Sequence, residues 1–173
     1  MSELFKTKRL SVRKFLPTDS DDLAEILTDT DVTYFEPYET FTKEACVKEA
    51  ENFSKSDEFF AVTLGEKVIG KIYFSKRGNG SFELGYTFNG SFQGKGYAYE
   101  SARGFLEYAF NELGARRIFA EINARNDKSI KLVERLKMRK EATFRELLPR
   151  KENAEIFDDF LVYAILKSEF EVI

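Results

Sequence analysis

The chain has 173 residues, 43% hydrophobic and 33% charged, with ten glycines and three prolines; this is the balance of one packed domain, expected to span residues 1–173, and not of a disordered chain. With no histidine and a single cysteine, Cys46, it can build no Ser-His-Asp or Cys-His nucleophile system, no internal disulfide and almost no zinc site, so acid–base work falls to Glu, Asp, Tyr, Lys or Ser. The formal charge of −3 is unevenly spread: residues 17–58 carry 13 acidic and 3 basic side chains, the remainder 17 and 24.

The N-terminus shows no basic region followed by an apolar stretch, and no run of about 18 apolar residues occurs, so a cytoplasmic location without a membrane partner is expected. Leu10, Val12 and Phe15 give a short strand over Arg9 to Phe15, closed by Pro17. Thr18, with Asp21 three residues on, predicts the N-cap of a helix presenting Leu23, Ile26 and Leu27 on one face. A second helix is expected after Thr42, running to about Ser54. The aromatic loop Tyr34, Phe35, Glu36, Pro37, Tyr38 lies between them.

Phe59 to Leu64 and Val68 to Phe74, joined by Gly65-Glu66-Lys67, read as a β-hairpin. After the turn Arg77-Gly78-Asn79-Gly80 comes the strand Ser81 to Phe88. Its alternation sends Phe82, Leu84, Tyr86 and Phe88 to one face and Ser81, Glu83, Gly85 and Thr87 to the other, so one face should be core and one not. Ala98, Ala102, Phe105, Leu106, Ala109, Phe110 and Leu113 form one helical stripe that ends at Gly114. A strand over Arg117 to Ala124, a helix over Asp127 to Leu136, and strands near Lys140 to Leu147 and Ile156 to Leu166 complete the order β-α-α-β-β-β-α-β-α-β-β.

Gln93-Gly94-Lys95-Gly96-Tyr97-Ala98 stands between a strand and the clearest helix. Helix N-terminal amides, a close backbone approach allowed by glycine, and the Lys95 charge together suit a phosphate or pyrophosphate. A plain strand-to-helix turn is the simpler alternative for an isolated Gly-x-Gly. The segment is neither a Walker loop nor a three-glycine dinucleotide fingerprint.

The hexapeptide is similar to the Gln/Arg-x-x-Gly-x-Gly/Ala signature of the GNAT N-acetyltransferases. Thr7-x-Arg9-Leu10-x-Val12-Arg13, Glu83-Leu84-Gly85-Tyr86, Asn126-x-x-Ser129 and the ending Val162-Tyr163-Ala164-Ile165-Leu166-x-Ser168-Glu169-Phe170 resemble that family's ribosomal-protein N-terminal acetyltransferase branch. One departure is Lys137, where the family usually carries glycine after its last helix. If that position is left-handed, the side chain costs roughly 1 kcal/mol. The resemblance implies an α/β (α+β) GNAT fold, with a mixed, mainly antiparallel sheet of about seven strands and four helices, split between the family's fourth and fifth strands.

Acetyl-CoA, with no metal, is the implied co-substrate. The resemblance places Gln93, Gly94, Lys95, Gly96, Tyr97 and Ala98 at its pyrophosphate, backbone groups of Tyr86 and Phe88 and the side chain of Asn126 at its pantetheine arm, and Ser129 near the sulfur as proton donor. Glu83 is the expected general base; an ordinary surface carboxylate is the alternative. For Asn126 and Ser129 the alternative is a simple N-cap with a first-turn serine. The implied acceptor is a primary amine, foremost a protein or peptide N-terminus, otherwise a polyamine, aminoglycoside or amino acid. The protein would act as a monomer or homodimer without nucleic acid.

The acidic segment 17–58 would steer a cationic acceptor, or merely keep its helices soluble. Tyr34, Phe35 and Tyr38 would line the acceptor pocket or cap the core. Two other classes stay open: a CoA-binding module without catalysis, and a nucleotide-binding domain. The latter suits poorly a sequence so rich in short hairpins.

Overall fold

The computed structural model describes residues 3–170. In chain order its elements are β1 (Glu3–Lys6), β2 (Ser11–Lys14), α1 (Ser20–Leu27), α2 (Thr30–Thr33), α3 (Lys43–Lys55), β3 (Phe59–Leu64), β4 (Lys67–Lys76), β5 (Ser81–Phe88), α4 (Tyr97–Asn111), β6 (Arg117–Asn123), α5 (Asp127–Arg135), β7 (Arg139–Pro149), β8 (Phe157–Leu166) and α6 (Lys167–Phe170). The eight strands form one sheet in the order β1-β2-β3-β4-β5-β6-β8-β7. Its pairs β1–β2, β2–β3, β3–β4, β6–β8 and β7–β8 are antiparallel and β5–β6 is parallel. The expected mixed, mainly antiparallel α/β fold is therefore present, with one strand more than the sequence suggests: β1, which pairs Phe5 with Val12.

Two compact units divide the chain. The first comprises the residues up to Phe74 together with Gly85–Tyr108, the second Ser75–Leu84 together with Ala109 onward.

In the first unit, α3 begins where its cap predicts: the Thr42 hydroxyl accepts the Ala45 amide at 3.2 Å. Thr18 is not a cap. Pro17–Asp19 form a 3-10 turn and α1 starts at Ser20. Asp19 instead accepts both terminal nitrogens of Arg13, at 2.7 and 2.9 Å, and the Leu16 amide at 2.8 Å. That carboxylate is worth more to the chain as a bidentate partner for Arg13 than Thr18 would be as a cap. The core here joins Phe15, Leu23, Ile26, Leu27, Cys46, Ala50, Phe53, Ala61 and Val68. A second aromatic group centres on Phe105 of α4, whose ring lies 4.9 Å from that of Phe74, 5.1 Å from Phe60 and 5.8 Å from Phe5. Burying one such ring contributes about 1.5–3 kcal/mol.

In the second unit, β5 pairs with β6 over Ser81–Glu83, with Glu83 opposite Phe119, and β8 lies antiparallel along all of β6. Ile118, Val133, Leu136 and Ile165 are fully buried. Leu113, expected on the buried stripe, lies beyond the last turn of α4 and is 39% exposed. Helix α5 ends in a double backbone closure, Lys137 N to Glu134 O and Met138 N to Val133 O, both 3.0 Å. This geometry places Lys137 at a left-handed position, φ +65°, so the condition under which its side chain costs energy relative to glycine is met.

Candidate active site

The backbone of the first unit turns at Asn89, whose side-chain oxygen accepts the Ser91 amide at 2.9 Å, and the Gln93 side chain closes the turn by donating to the Phe88 carbonyl at 3.1 Å. Gly94 and Gly96 then adopt φ of +74° and +81°. A Cβ at Gly94 would meet nothing within 4 Å, and one at Gly96 only the Arg9 guanidinium at 3.5 Å. The loop thus keeps its backbone open at Gly94 and lightly covered at Gly96 before the first helical bond of α4, Glu100 N to Gly96 O at 3.0 Å. Amides in such a first turn point out along the axis, where an anion is favoured. Lys95 Nζ donates to the Ser91 carbonyl at 3.1 Å and stands over the Phe92 ring.

Two residues that the motif does not include complete this corner. Arg9 donates through Nε to Glu100 at 2.6 Å and through NH1 to the Lys95 carbonyl at 3.1 Å, and it lies over the Tyr97 ring at 4.5 Å. Glu100 also accepts the Thr7 hydroxyl at 2.6 Å and the Arg9 amide at 2.8 Å. Burial pushes the Glu100 carboxyl up, but the bonds from Thr7 and Arg9 and the Arg9 charge outweigh it and hold the group below the usual range. The signal for this pair was in the sequence as Thr7-x-Arg9, but its partner is 91 residues away.

On β5, Tyr86 is half-buried and Phe88 buried. The Phe88 ring occupies the space beside Gly70, where a Cβ would come within 2.4 Å of it. The opposite face is not uniformly open, because Thr87 is buried and donates to Glu36 at 2.9 Å.

In the second unit Glu83 is half-buried and held by Arg77, with Nε at 2.8 Å and NH2 in contact. Glu121 on β6 stands within its field. Partial burial first, then the Glu83 charge, push the Glu121 carboxyl above its ordinary range, with Arg77 opposing. Glu121 is a neighbour the sequence did not disclose, since the parallel β5–β6 register is what brings it near. The Asn126 side-chain oxygen accepts the Ser129 amide at 3.2 Å and caps α5.

A family model described as "Acetyltransferase (GNAT) domain" matches residues 9–139. The chain belongs to the GNAT acetyltransferases. It is 36% identical to the uncharacterized N-acetyltransferase YnaD of Bacillus subtilis (strain 168) over 95% of this chain and 97% of that one. A solved GNAT-family acetyltransferase from Bacillus anthracis shares 32% identity over 95% and 98% of the two chains, with a TM-score of 0.87. Mycobacterium smegmatis RimJ, solved in complex with CoA-disulfide, shares the fold at a TM-score of 0.80 and 18% identity, over 98% of this chain and 91% of that one.

This GNAT protein is therefore an enzyme of acetyl transfer, and acetyl-CoA is the co-substrate its family uses. The open glycine loop at the start of α4 fits an anionic group of that co-substrate. Among the described residues, no helix is long and apolar enough to cross a membrane.

Proposed function

We propose that the chain works as one domain that transfers acetyl from acetyl-CoA to a primary amine, foremost the N-terminal α-amine of a protein or peptide, as in the ribosomal-protein branch. The observation that carries the co-substrate half is the loop itself: two left-handed glycines, Gly94 and Gly96, flanking Lys95, with only the Arg9 guanidinium near a Cβ position, at the N-terminus of a 15-residue helix. The motifs of the branch, such as Glu83-Leu84-Gly85-Tyr86 and the ending Val162 to Phe170, support the acceptor half.

In this reading, Gly94 to Ala98 receive the pyrophosphate, with Gln93 shaping the turn and Lys95 and Arg9 adding positive charge. Backbone groups of Tyr86 and Phe88 hold the pantetheine arm, and Asn126 adds a contact through its amide nitrogen, since its oxygen serves the cap. Glu83 takes the proton of the ammonium, directly or through water. The neutral nitrogen then attacks the thioester carbonyl. The C–N bond forms, the C–S bond breaks, the nitrogen loses its second proton to solvent, and the departing thiolate takes a proton from water or from the Ser129 hydroxyl, which solvent then reprotonates. Arg77 holds the Glu83 carboxylate in place until the acceptor arrives.

The test is CoA release over an amine panel: peptides with free N-terminal Ala or Ser, spermidine, an aminoglycoside and free amino acids. Cys46 is fully buried, and burial, with Glu49 and Glu44, pushes its thiol upward, so a thiol reagent applied to the folded protein reads CoA alone. The peptides should give the highest kcat/KM. Turnover confined to small amines would transfer the reading to them, and no turnover on any amine would reduce it to CoA binding.

A further inference from the structure

Lys71 of β4 has 4% of its surface exposed, and its ammonium lies over three rings, Tyr38 at 4.8 Å, Phe59 at 5.5 Å and Phe53 at 5.7 Å. Lysine is among the residues least often buried, and then only when paired. Here Nζ donates to the Tyr38 hydroxyl at 3.0 Å. The Tyr38 phenol is within the influence of both Glu36 and Thr87, and the Glu36 carboxylate accepts the Thr87 hydroxyl at 2.9 Å. A polar chain therefore runs Lys71–Tyr38–Glu36–Thr87 from the core to a half-buried carboxylate.

The position of that carboxylate is informative. Thr87 lies between Tyr86 and Phe88, the residues given the pantetheine arm in the proposed function, and its side chain is on the strand face shared with Gly85. Gly85 carries no side chain, and the nearest atoms a Cβ there would meet belong to the Tyr73 side chain, at 3.5 Å. Beside this stretch the chain has placed the Glu36 carboxylate, bonded by the Thr87 hydroxyl and neighboured by Tyr38. Burial lowers the Lys71 ammonium, while the nearby charges of Glu36 and Glu49 raise it; burial and then the Glu36 charge push the Tyr38 phenol up, so it stays a donor.

We propose that Glu36 is the acceptor-recognition residue of this enzyme, binding the ammonium group of a cationic amine, and that Tyr38 and Lys71 are positioning residues that fix its carboxylate through the Tyr38 hydroxyl. The proposal rests on the acetyl-transfer reading and specifies its substrate class as amines that arrive positively charged. Removing the Glu36 charge leaves Lys71 and Glu49 as the charges acting there, so the local field becomes less attractive for a cation.

The test is steady-state kinetics on Glu36→Gln, Glu36→Asp, Tyr38→Phe, Lys71→Met and the double variant, using an Ala-peptide, spermidine, and p-anisidine as an amine uncharged at pH 7.5. Glu36→Gln should raise KM for the cationic amines by about 10-fold or more, from the loss of one charge-assisted bond. It should leave kcat within about threefold, leave acetyl-CoA affinity unchanged, and spare p-anisidine; Glu36→Asp should recover much of the loss. Tyr38→Phe and Lys71→Met should each raise the same KM, and together no more than either alone. An unchanged KM in Glu36→Gln, an equal loss with p-anisidine, or a loss in kcat alone would overturn it. NMR titration of the peptide and spermidine onto the CoA-loaded protein needs no turnover. Binding weakened by Glu36→Gln supports the site even if the acetyl-transfer reading fails, and binding indifferent to it sinks the site alone.

Discussion

Arg9 and Glu100, 91 residues apart, meet at 2.6 Å, and the same guanidinium reaches the carbonyl of Lys95 at 3.1 Å. The shape of the glycine loop therefore depends on a residue of the N-terminal segment. Glu100→Gln should weaken acetyl-CoA binding by about 3- to 10-fold, in the range of one charge-assisted hydrogen bond, as measured by isothermal titration. The folded Glu100 carboxyl is held below its ordinary range, so the stability it contributes is present above the unfolded carboxylate pKa and is lost as pH falls through the folded one. Wild-type affinity should accordingly drop at acid pH by a component that Glu100→Gln lacks. Equal affinities and superimposable pH profiles would remove Arg9 and Glu100 from the site.

Gly96→Val tests the loop directly. A branched side chain at φ +81° is strained by roughly 1–2 kcal/mol, which a domain of this size should survive, and its methyls would block close approach to the loop backbone. Acetyl-CoA binding should be abolished in a protein that still melts cooperatively. Retained affinity in that folded variant would show that the phosphates bind elsewhere.

Glu83→Gln should lower kcat by about 10- to 10000-fold, the low end applying if water substitutes, with acetyl-CoA affinity preserved. The acidic limb of the pH–rate profile should disappear with it. Arg77→Ala, which frees the carboxylate from its ion pair, should lower kcat by less than Glu83→Gln does and likewise preserve acetyl-CoA affinity. A Glu83→Gln enzyme as fast as wild type would return Glu83 to the role of Arg77's structural partner.

Lys137→Gly should stabilise the protein by roughly 1 kcal/mol, because glycine adopts the left-handed closure of α5 without strain. A melting temperature higher by about 2–4 °C is expected for a chain of this length. A lower value would mean that the Lys137 stem contributes packing that outweighs its φ.

What could be read in advance follows from how local each determinant is. The alternation of Phe82, Leu84, Tyr86 and Phe88 marks β5 to the residue, and Thr42 marks the start of α3, because both signals lie within a few positions. Lys137 could be singled out because a helix end has a local geometry. By contrast, β1 is a four-residue strand defined only by its pairing with β2. Lys71 looks solvent-facing in any strand pattern until Tyr38, 33 positions earlier, is seen beneath it.

The acidic segment was legible as composition but not as use. Lys67 takes Asp22 at 2.8 Å and Glu25 at 2.9 Å, Arg13 takes Asp19, and Asp29 caps α2. Much of the charge excess is thus engaged within the fold. Asp31 and Glu39, both exposed, are better candidates for long-range steering than the first-helix acids.

The ring of Phe88 lies where a side chain at position 70 would have to begin. In a saturation library selected for activity, position 70 should therefore collapse to glycine alone, although β4 is buried there and a buried strand ordinarily welcomes valine or isoleucine. Alanine at 70 should reappear only in combination with a smaller residue at 88. The two positions would then drift as a linked pair, and a lineage that lost the phenylalanine could not readily regain it.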